Sequence, residues 1–233
     1  MTLFALEGVD VFYGKAQALH AVDLRVARGE IVSLVGRNGA GKTTILRAAM
    51  GLLPCARGRR VLEGADITGL PPHGASRCGV ALVPADRQVF PTLDVVQNLR
   101  VAQVAHRTSR FGVDDAFELF PRLKERRRAL GGSLSGGEQQ MLSIARGLMT
   151  GPSLMLLDEA TEGLAPIIVE SLTQAIQGIN RQGVSILLVE QNMRVPMRIA
   201  HRQYVIETGR VAWSGTLDEA RQARERIETL ISV

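Results

Sequence analysis

The sequence predicts an α/β core of alternating strands and helices, interrupted by a helical insert. Three observations carry that reading. The apolar run IVSLV, Ile31–Val35, is followed by a glycine-rich segment and a helical pattern from about Lys42 to Met50. Strand-like and helix-like stretches alternate again after Gly151-Pro152. Between about Leu93 and Thr150 the texture changes to charged, helix-favouring stretches in which β-branched runs are scarce.

Taken in order, the first thirty residues read as strands and turns: LFALEG, then ALHAVDLRV, with Tyr13-Gly14-Lys15 marking a turn. IVSLV is short and apolar throughout, as a strand buried on both faces should be. RRVLEG and VALVP (Val80–Pro84) read as further strands. The insert holds VVQNLRVAQVA and DDAFELF. A helix after Leu134 places Met141, Ile144, Ala145, Leu148 and Met149 on one face and stops at Gly151-Pro152. LMLL (Leu154–Leu157) and VSILLV (Val184–Val189) are predicted strands, separated by a helix from about Pro166 to Asn180. The tail reads as strand, turn, strand and helix: QYVIETGRVAWSG, then LDEARQARERIETLI.

At 233 residues the chain can bury a sizeable core and stands at the upper end for one domain. Apolar residues make up 45% and charged residues 22%, ordinary values for a soluble globular protein. A formal charge of +5 and a pI near 9.9 leave nucleic acid, acidic headgroups and phosphate-bearing ligands open as partners. The clearest basic run, Arg122, Lys124, Arg126, Arg127 and Arg128, reads as a solvated helix face. Cys55 and Cys78 lie far apart without metal-ligand spacing, which fits a reduced cytosolic compartment. MTLFALEGVD has no basic segment leading into an apolar stretch, so no secretion signal is expected there. No window approaches the ~20 apolar residues that cross a bilayer. A role at a membrane therefore needs another protein there. His20, His73, His106 and His201 show no mutual metal spacing and read as surface or turn residues.

GRNGAGKT, Gly36 to Thr43, fits the phosphate-loop pattern G-x-x-x-x-G-K-[ST] and sits where that pattern has physical meaning, between an apolar strand and a helix. Gly36, Gly39 and Gly41 let the backbone wrap so that its N–H groups point at phosphate oxygens. The helix start adds free amides and its dipole. Lys42 neutralises the β- and γ-phosphates, and the Thr43 hydroxyl can ligate Mg²⁺. The predicted nucleotide-binding set is Gly36, Arg37, Asn38, Gly39, Ala40, Gly41, Lys42, Thr43 and the following Thr44. LMLLDE ends an apolar strand in Asp158 and Glu159, where open α/β sheets bind ligands. Asp158 can hold Mg²⁺ directly or through water, and Glu159 can polarise the water that attacks phosphorus. Alone, an apolar strand ending in acids is common; behind a phosphate loop it points to catalysis.

LSGGEQQ, Leu134 to Gln140, carries the S-x-x-E spacing of a capping box at Ser135 and Glu138. Capping does not need Gly136 and Gly137, which weaken a helix. A serine hydroxyl, two glycine amides and a helix N-terminus form a second anion site, one that opens from the insert and not from the core.

GRNGAGKT, LSGGEQQ and LMLLDE, in that order and at these separations, resemble the ATPase subunit of an ABC transporter over essentially the whole chain. The resemblance implies a P-loop NTPase core, an N-terminal antiparallel β subdomain and an inserted helical subdomain. As one domain over 2–233, the RecA-like core spans about 2–90 and 151–233, and the helical part about 91–150. It also implies that Ser135, Gly136 and Gly137 grip ATP bound to the phosphate loop of a second ATPase subunit, identical or not. By the same resemblance Tyr13 stacks on adenine, and Gln191 in VEQN stands where a histidine usually contacts the γ-phosphate. YGKAQALHAVDL, DITGLPPH, RQVFPTLDVVQNL, ELFPRLKERR, TEGLAP, LLVEQN and VIETGRV are similar to subunits of branched-chain, or hydrophobic, amino-acid uptake systems. Urea-type systems share several of these segments. Implied partners are integral membrane permeases and, indirectly, a solute-binding protein. No nucleic acid is expected, and the implied location is peripheral, on the cytoplasmic face of the cell membrane.

Three positions depart from the family pattern. Ala85 in VPADRQVFP occupies the place of a Gln or Glu that faces metal and water, which leaves Asp86 or Gln88 to compensate. Ala160 stands where proline often follows the two acids, and Ala165 replaces an aspartate used across the dimer interface. Competing readings are an importer for urea, amides or another solute, a soluble ABC ATPase of translation or DNA maintenance, and a regulatory nucleotide binder with little catalysis.

Overall fold

A computed structural model of the chain describes residues 1–104 and 109–231. β1 (Thr2–Tyr13) and β2 (Ala16–Ala27) pair antiparallel across the Gly14-Lys15 turn. β3 (Ile31–Val35) leads through the glycine-rich loop to α1 (Lys42–Met50); β4 (Arg57–Leu62), β5 (Ala65–Asp66), α2 (Pro72–Arg77) and β6 (Val80–Val83) follow. Next come α3 (Val95–Val104), α4 (Val113–Leu119), α5 (Pro121–Glu125) and α6 (Gly136–Leu148). The remainder is β7 (Leu154–Asp158), α7 (Pro166–Arg181), β8 (Ser185–Glu190), α8 (Pro196–Ile199), β9 (Arg202–Glu207), β10 (Arg210–Thr216), α9 (Leu217–Gln222) and α10 (Arg224–Ile231).

Two sheets form, a four-stranded one in the order β2-β1-β4-β5 and a six-stranded one in the order β10-β9-β3-β8-β7-β6. The first is antiparallel; the second is parallel except for its edge strand β10. The apolar runs follow from this placement. Ile186 and Leu188 of β8, with Met155 and Leu157 of β7, pack toward α6 and α7. Leu187 and Val189, with Leu154 and Leu156, pack with α1 and the β1–β2 layer. Strand side chains alternate between faces, so a sheet covered on both sides needs apolar residues at every position. No helix among the described residues is long and apolar enough to cross a membrane.

Three local features differ from the sequence reading. LFALEG was expected to end near Gly8, whereas β1 continues to Tyr13 through an irregular register around Val9. Gly8 takes φ +59° there and its N–H donates to Asp23 Oδ1 at 3.0 Å, so the glycine bends the strand instead of ending it. The expected single C-terminal helix is two, α9 and α10, meeting at Ala223. The basic run is exposed, but only Arg122 and Lys124 lie on a helix; Arg126–Arg128 form a turn. His106 lies outside the described residues.

Candidate functional site

Neighbouring parallel strands deliver the candidate residues to one edge. β3, β8, β7 and β6 lie side by side, and their C-terminal ends carry Gly36, Glu190-Gln191, Asp158-Glu159 and Pro84-Ala85. Segments far apart in sequence therefore meet where such sheets bind ligands.

The loop after β3 has little steric freedom. A Cβ on Gly36 would lie 2.5 Å from the Ile206 carbonyl oxygen. Gly39 and Gly41 take left-handed φ values of +79° and +111°. Gly41 caps α1 without a side-chain hydrogen bond, and the first turn holds no acidic residue. The helix amides and dipole are thus available to an anion.

Lys42 is only 4% exposed. Its Nζ donates to the Gly36 and Arg37 carbonyls at 2.8 and 3.1 Å and lies 3.3 Å from Glu159 Oε1. The Thr43 hydroxyl donates to Asp158 Oδ1 at 3.4 Å. Burial raises the Asp158 carboxyl above its ordinary range, against the pull of that hydrogen bond. A hydroxyl and a carboxylate, both hard oxygen donors, adjoin here, a donor set that fits Mg²⁺.

A cavity of about 420 Å³ is lined by Asn38, Gly39, Gly41, Lys42, Thr43, Thr44, Glu159 and Gln191. Arg37 and Ala40 border a different hollow, beside Glu207 and Thr208. Tyr13 is 45% exposed at the end of β1, its hydroxyl 3.5 Å from Thr44 Oγ1. An exposed ring beside the loop can stack on a flat base.

Glu159 adopts a left-handed φ of +47°, unusual for a residue with a side chain, and its N–H donates to the Val189 carbonyl at 2.9 Å. The Gln191 Nε2 donates to Glu162 Oε2. One residue earlier, Glu190 is 2% exposed and accepts from Thr161 Oγ1 at 2.8 Å. Burial pushes its carboxyl up to about 7. The sequence reading singled out neither Glu162 nor Glu190. TEGLAP and VEQN display both acids, but nothing local to either segment says that they face one another.

Around Ala85 the chain offers substitutes. Asp86 and Gln88 line a second cavity, of about 490 Å³, together with Thr43 and Asp158. Gln88 Nε2 donates to Asp86 Oδ2 at 3.0 Å. Arg87 and Gln88 are both left-handed, at φ +63° and +46°. Arg146 of α6 holds this turn by donating to the Gln88 carbonyl while its guanidinium stacks 4.4 Å from the Phe90 ring centroid.

Ser135, Gly136 and Gly137 line neither of these two cavities. Ser135 caps α6 as its spacing predicts: Glu138 N–H donates to Ser135 Oγ at 3.3 Å, and Ser135 N–H and Oγ–H donate to Glu138 Oε2 at 2.9 Å each. Gly137 has a steric reason within the chain that sequence reading missed, whereas Gly136 meets only the far end of a flexible arginine side chain. A Cβ on Gly136 would lie 2.9 Å from Arg87 Nη1, and one on Gly137 would lie 2.7 Å from Ile168 Cγ2. Ala160 is buried, and Ala165 is the N-cap residue of α7.

Comparison with known proteins shows the family and the fold. A sequence model of the family described as ABC transporter matches residues 19–162. The chain is 44% identical to the high-affinity branched-chain amino acid transport ATP-binding protein BraG of Pseudomonas aeruginosa, covering 92% of this chain and 93% of that one. It is 35% identical to the probable branched-chain amino acid transport ATP-binding protein LivF of Archaeoglobus fulgidus, over 94% and 93% of the two chains. Identity to the lipopolysaccharide export system ATP-binding protein LptB of Escherichia coli K12 is 34%, over 90% and 89%. Among solved structures, an ATP-binding cassette of an ABC transporter, MJ1267, superposes with a TM-score of 0.86 at 23% identity, covering 100% of this chain and 99% of that one.

Proposed function

The chain belongs to the ABC transporter family, and on that premise we propose that it is the ATP-hydrolysing subunit of an importer for branched-chain, hydrophobic amino acids. The observation that carries the ATPase reading is the meeting of Lys42, Thr43, Asp158, Glu159 and Gln191, from three separate segments, around two cavities that share Thr43. The solute class rests on the 44% identity to BraG, against 34% to the export protein LptB.

In this reading the amides of Gly36–Thr44 and the Lys42 ammonium bind the phosphates of ATP, and Tyr13 stacks on its base. Thr43 and Asp158 hold Mg²⁺, which when bound neutralises charge on the phosphate oxygens. Glu159 orients the attacking water and takes its proton, and the Gln191 amide donates to the γ-phosphate. Gln191 cannot carry a proton at neutral pH, so its part is positional. Ser135, Gly136 and Gly137 close over nucleotide held by a second cassette. The RecA-like core, about 2–90 and 151–233, carries the nucleotide, while the helical part, about 91–150, docks a membrane permease on the cytoplasmic face. A solute-binding protein acts through the permeases, and nucleic acid has no part.

The test is to isolate the membrane complex and measure its ATPase with differently loaded binding proteins. Stimulation by a receptor loaded with a branched-chain amino acid is the expected result. Stimulation only by a urea- or amide-loaded receptor would overturn the solute class. A chain that never co-purifies with a membrane partner after co-expression would overturn the transport role.

A further inference from the structure

β6 ends at Val83, and the chain then crosses to the helical part through Pro84–Pro91. A tight turn forms within that crossing. The Arg87 N–H donates to the Pro84 carbonyl at 3.2 Å, and the Gln88 N–H to the Asp86 carbonyl at 2.7 Å. Arg87 and Gln88 are consecutive left-handed residues, and neither is a glycine or an asparagine. That backbone is disfavoured for both, so the turn persists only where its surroundings hold it. The turn carries Asp86 and Gln88, which line the 490 Å³ cavity with Thr43 and Asp158.

Two residues of the helical part hold the turn, and neither lines that cavity. Asn98 of α3 is fully buried; it accepts from the Phe90 N–H at 2.9 Å and donates to the Phe90 carbonyl at 3.0 Å. This fixes the end of the turn nearest the helices. Arg146, in the last turn of α6, fixes the middle: its Nη1 donates to the Gln88 carbonyl while the guanidinium lies over the Phe90 ring. The Arg146 contact carries a penalty. The residue is partly buried, and among the described residues it has no carboxylate partner and its Nε has no acceptor. Taking a cation out of water without a counter-ion is unfavourable, and an apolar side chain would fill the same space with less loss. Packing therefore does not account for Arg146; the Gln88 carbonyl and the Phe90 face do. A guanidinium meets both at once because it donates in its plane and stacks on its face.

We propose that Arg146 is a positioning residue for ATP hydrolysis, holding the turn so that Asp86 and Gln88 keep their places beside Thr43 and Asp158. The role rests on the ATPase reading above. Lys42 and the loop glycines border the other cavity, which none of Asp86, Gln88 and Arg146 lines. Loss of Arg146 thus acts on turnover and leaves nucleotide binding nearly unchanged. Asn98 still anchors Phe90, which confines the loosening to the turn.

The assembled membrane complex supplies kcat, KM for ATP and equilibrium binding of a fluorescent ATP analogue, and hydrogen exchange in the same complex reports on the turn. Arg146→Met keeps the length of the side chain and removes its charge. It should lower kcat on the order of 10-fold with KM and affinity within about twofold. Exchange of the Arg87 and Gln88 amides should quicken on the order of 10-fold, while α3 keeps its protection. Arg146→Lys retains a donor and a cation and should restore part of the rate. With Asp86 and Gln88 both replaced by alanine, adding Arg146→Met should cost little more. Should Arg146→Met fail to fold, Phe90→Leu, which removes the stacked face, takes its place. Unchanged kcat, strictly multiplicative losses, or faster exchange throughout α3 and α6 with parallel loss of affinity would overturn the positioning role. A wild-type complex that turns over no ATP would instead sink the ATPase reading and this role with it, a failure that the exchange data separate from failure of the turn contact.

Discussion

α1 and α6 both open after a glycine-rich turn, yet the fold gives their N-termini opposite electrostatics. At α1 the cap is Gly41, with no side-chain hydrogen bond and no acid in the first turn, and the buried Lys42 ammonium stands at the entrance. At α6 the end is closed by the chain itself, through three hydrogen bonds between Ser135 and Glu138. Burial pulls the Glu138 carboxyl up, but its bonds to Ser135 and the nearby Arg126 and Arg122 outweigh that and hold it below its usual range. An ionised carboxylate thus sits at α6 where an ammonium sits at α1. The helix dipole is the same in kind at both ends. The first end is built to receive an anion alone; the second has already answered its dipole and needs cations brought by the incoming ligand's own site.

Removing the ammonium should break the contrast most severely. Lys42→Ala is expected to weaken ATP binding on the order of 100-fold, since it takes one member from a buried charge pair and leaves Glu159 without its cation. Equilibrium titration with an ATP analogue measures this, and an affinity within twofold of wild type would remove α1 as the phosphate site.

The next effect concerns the carboxyl buried behind that site. Glu190 titrates at about 7 in the folded chain, against an ordinary 4.5. Its protonated form is therefore favoured by folding. The stability associated with it is present below about 4.5 and lost as pH rises through about 7. Glu190→Gln should cancel a loss on the order of 3 kcal/mol at pH 8. The variant's thermal midpoint should exceed the wild type's there, and the two should converge near pH 4.5. Parallel pH profiles would contradict the assignment.

Two smaller changes sharpen the α6 side. Gly137→Ala places a methyl group against Ile168 Cγ2 and should destabilise the chain by ~1–3 kcal/mol, with partial relief from Ile168→Ala in the double variant. Urea unfolding checks both, and full stability in Gly137→Ala would leave the glycine unexplained by packing. Ser135→Ala should cost ~1 kcal/mol through the lost cap and leave the cassette's own ATP affinity unchanged. A large fall in that affinity would place Ser135 at its own phosphate loop after all.

The phosphate loop and the α6 cap were legible in the chain because both are local. Gly36 to Thr43 lie within one turn of backbone, and Ser135 and Glu138 are three residues apart, so spacing alone states who meets whom. Asp158 and Glu159 were legible one step further out, because they close an apolar run that reads as a buried parallel strand, at the edge where such sheets bind ligands. The strand end at Gly8 was misread since a bulge keeps pairing where an isolated glycine suggests a stop. Glu162, Glu190 and Arg87 gave no local signal at all. Their neighbours are Gln191, Thr161 and Gly136, on other elements.

By itself the sequence determined the class of the fold, the glycine-rich loop before α1, the two acids where β7 ends and the serine cap of α6, all properties of short-range geometry or of strand periodicity. The tertiary structure alone decided which carboxyls are buried and what lies against each glycine of the pair. Those outcomes depend on distances through space between elements that the chain order separates, and on the loss of water around charges that sequence lists without a setting.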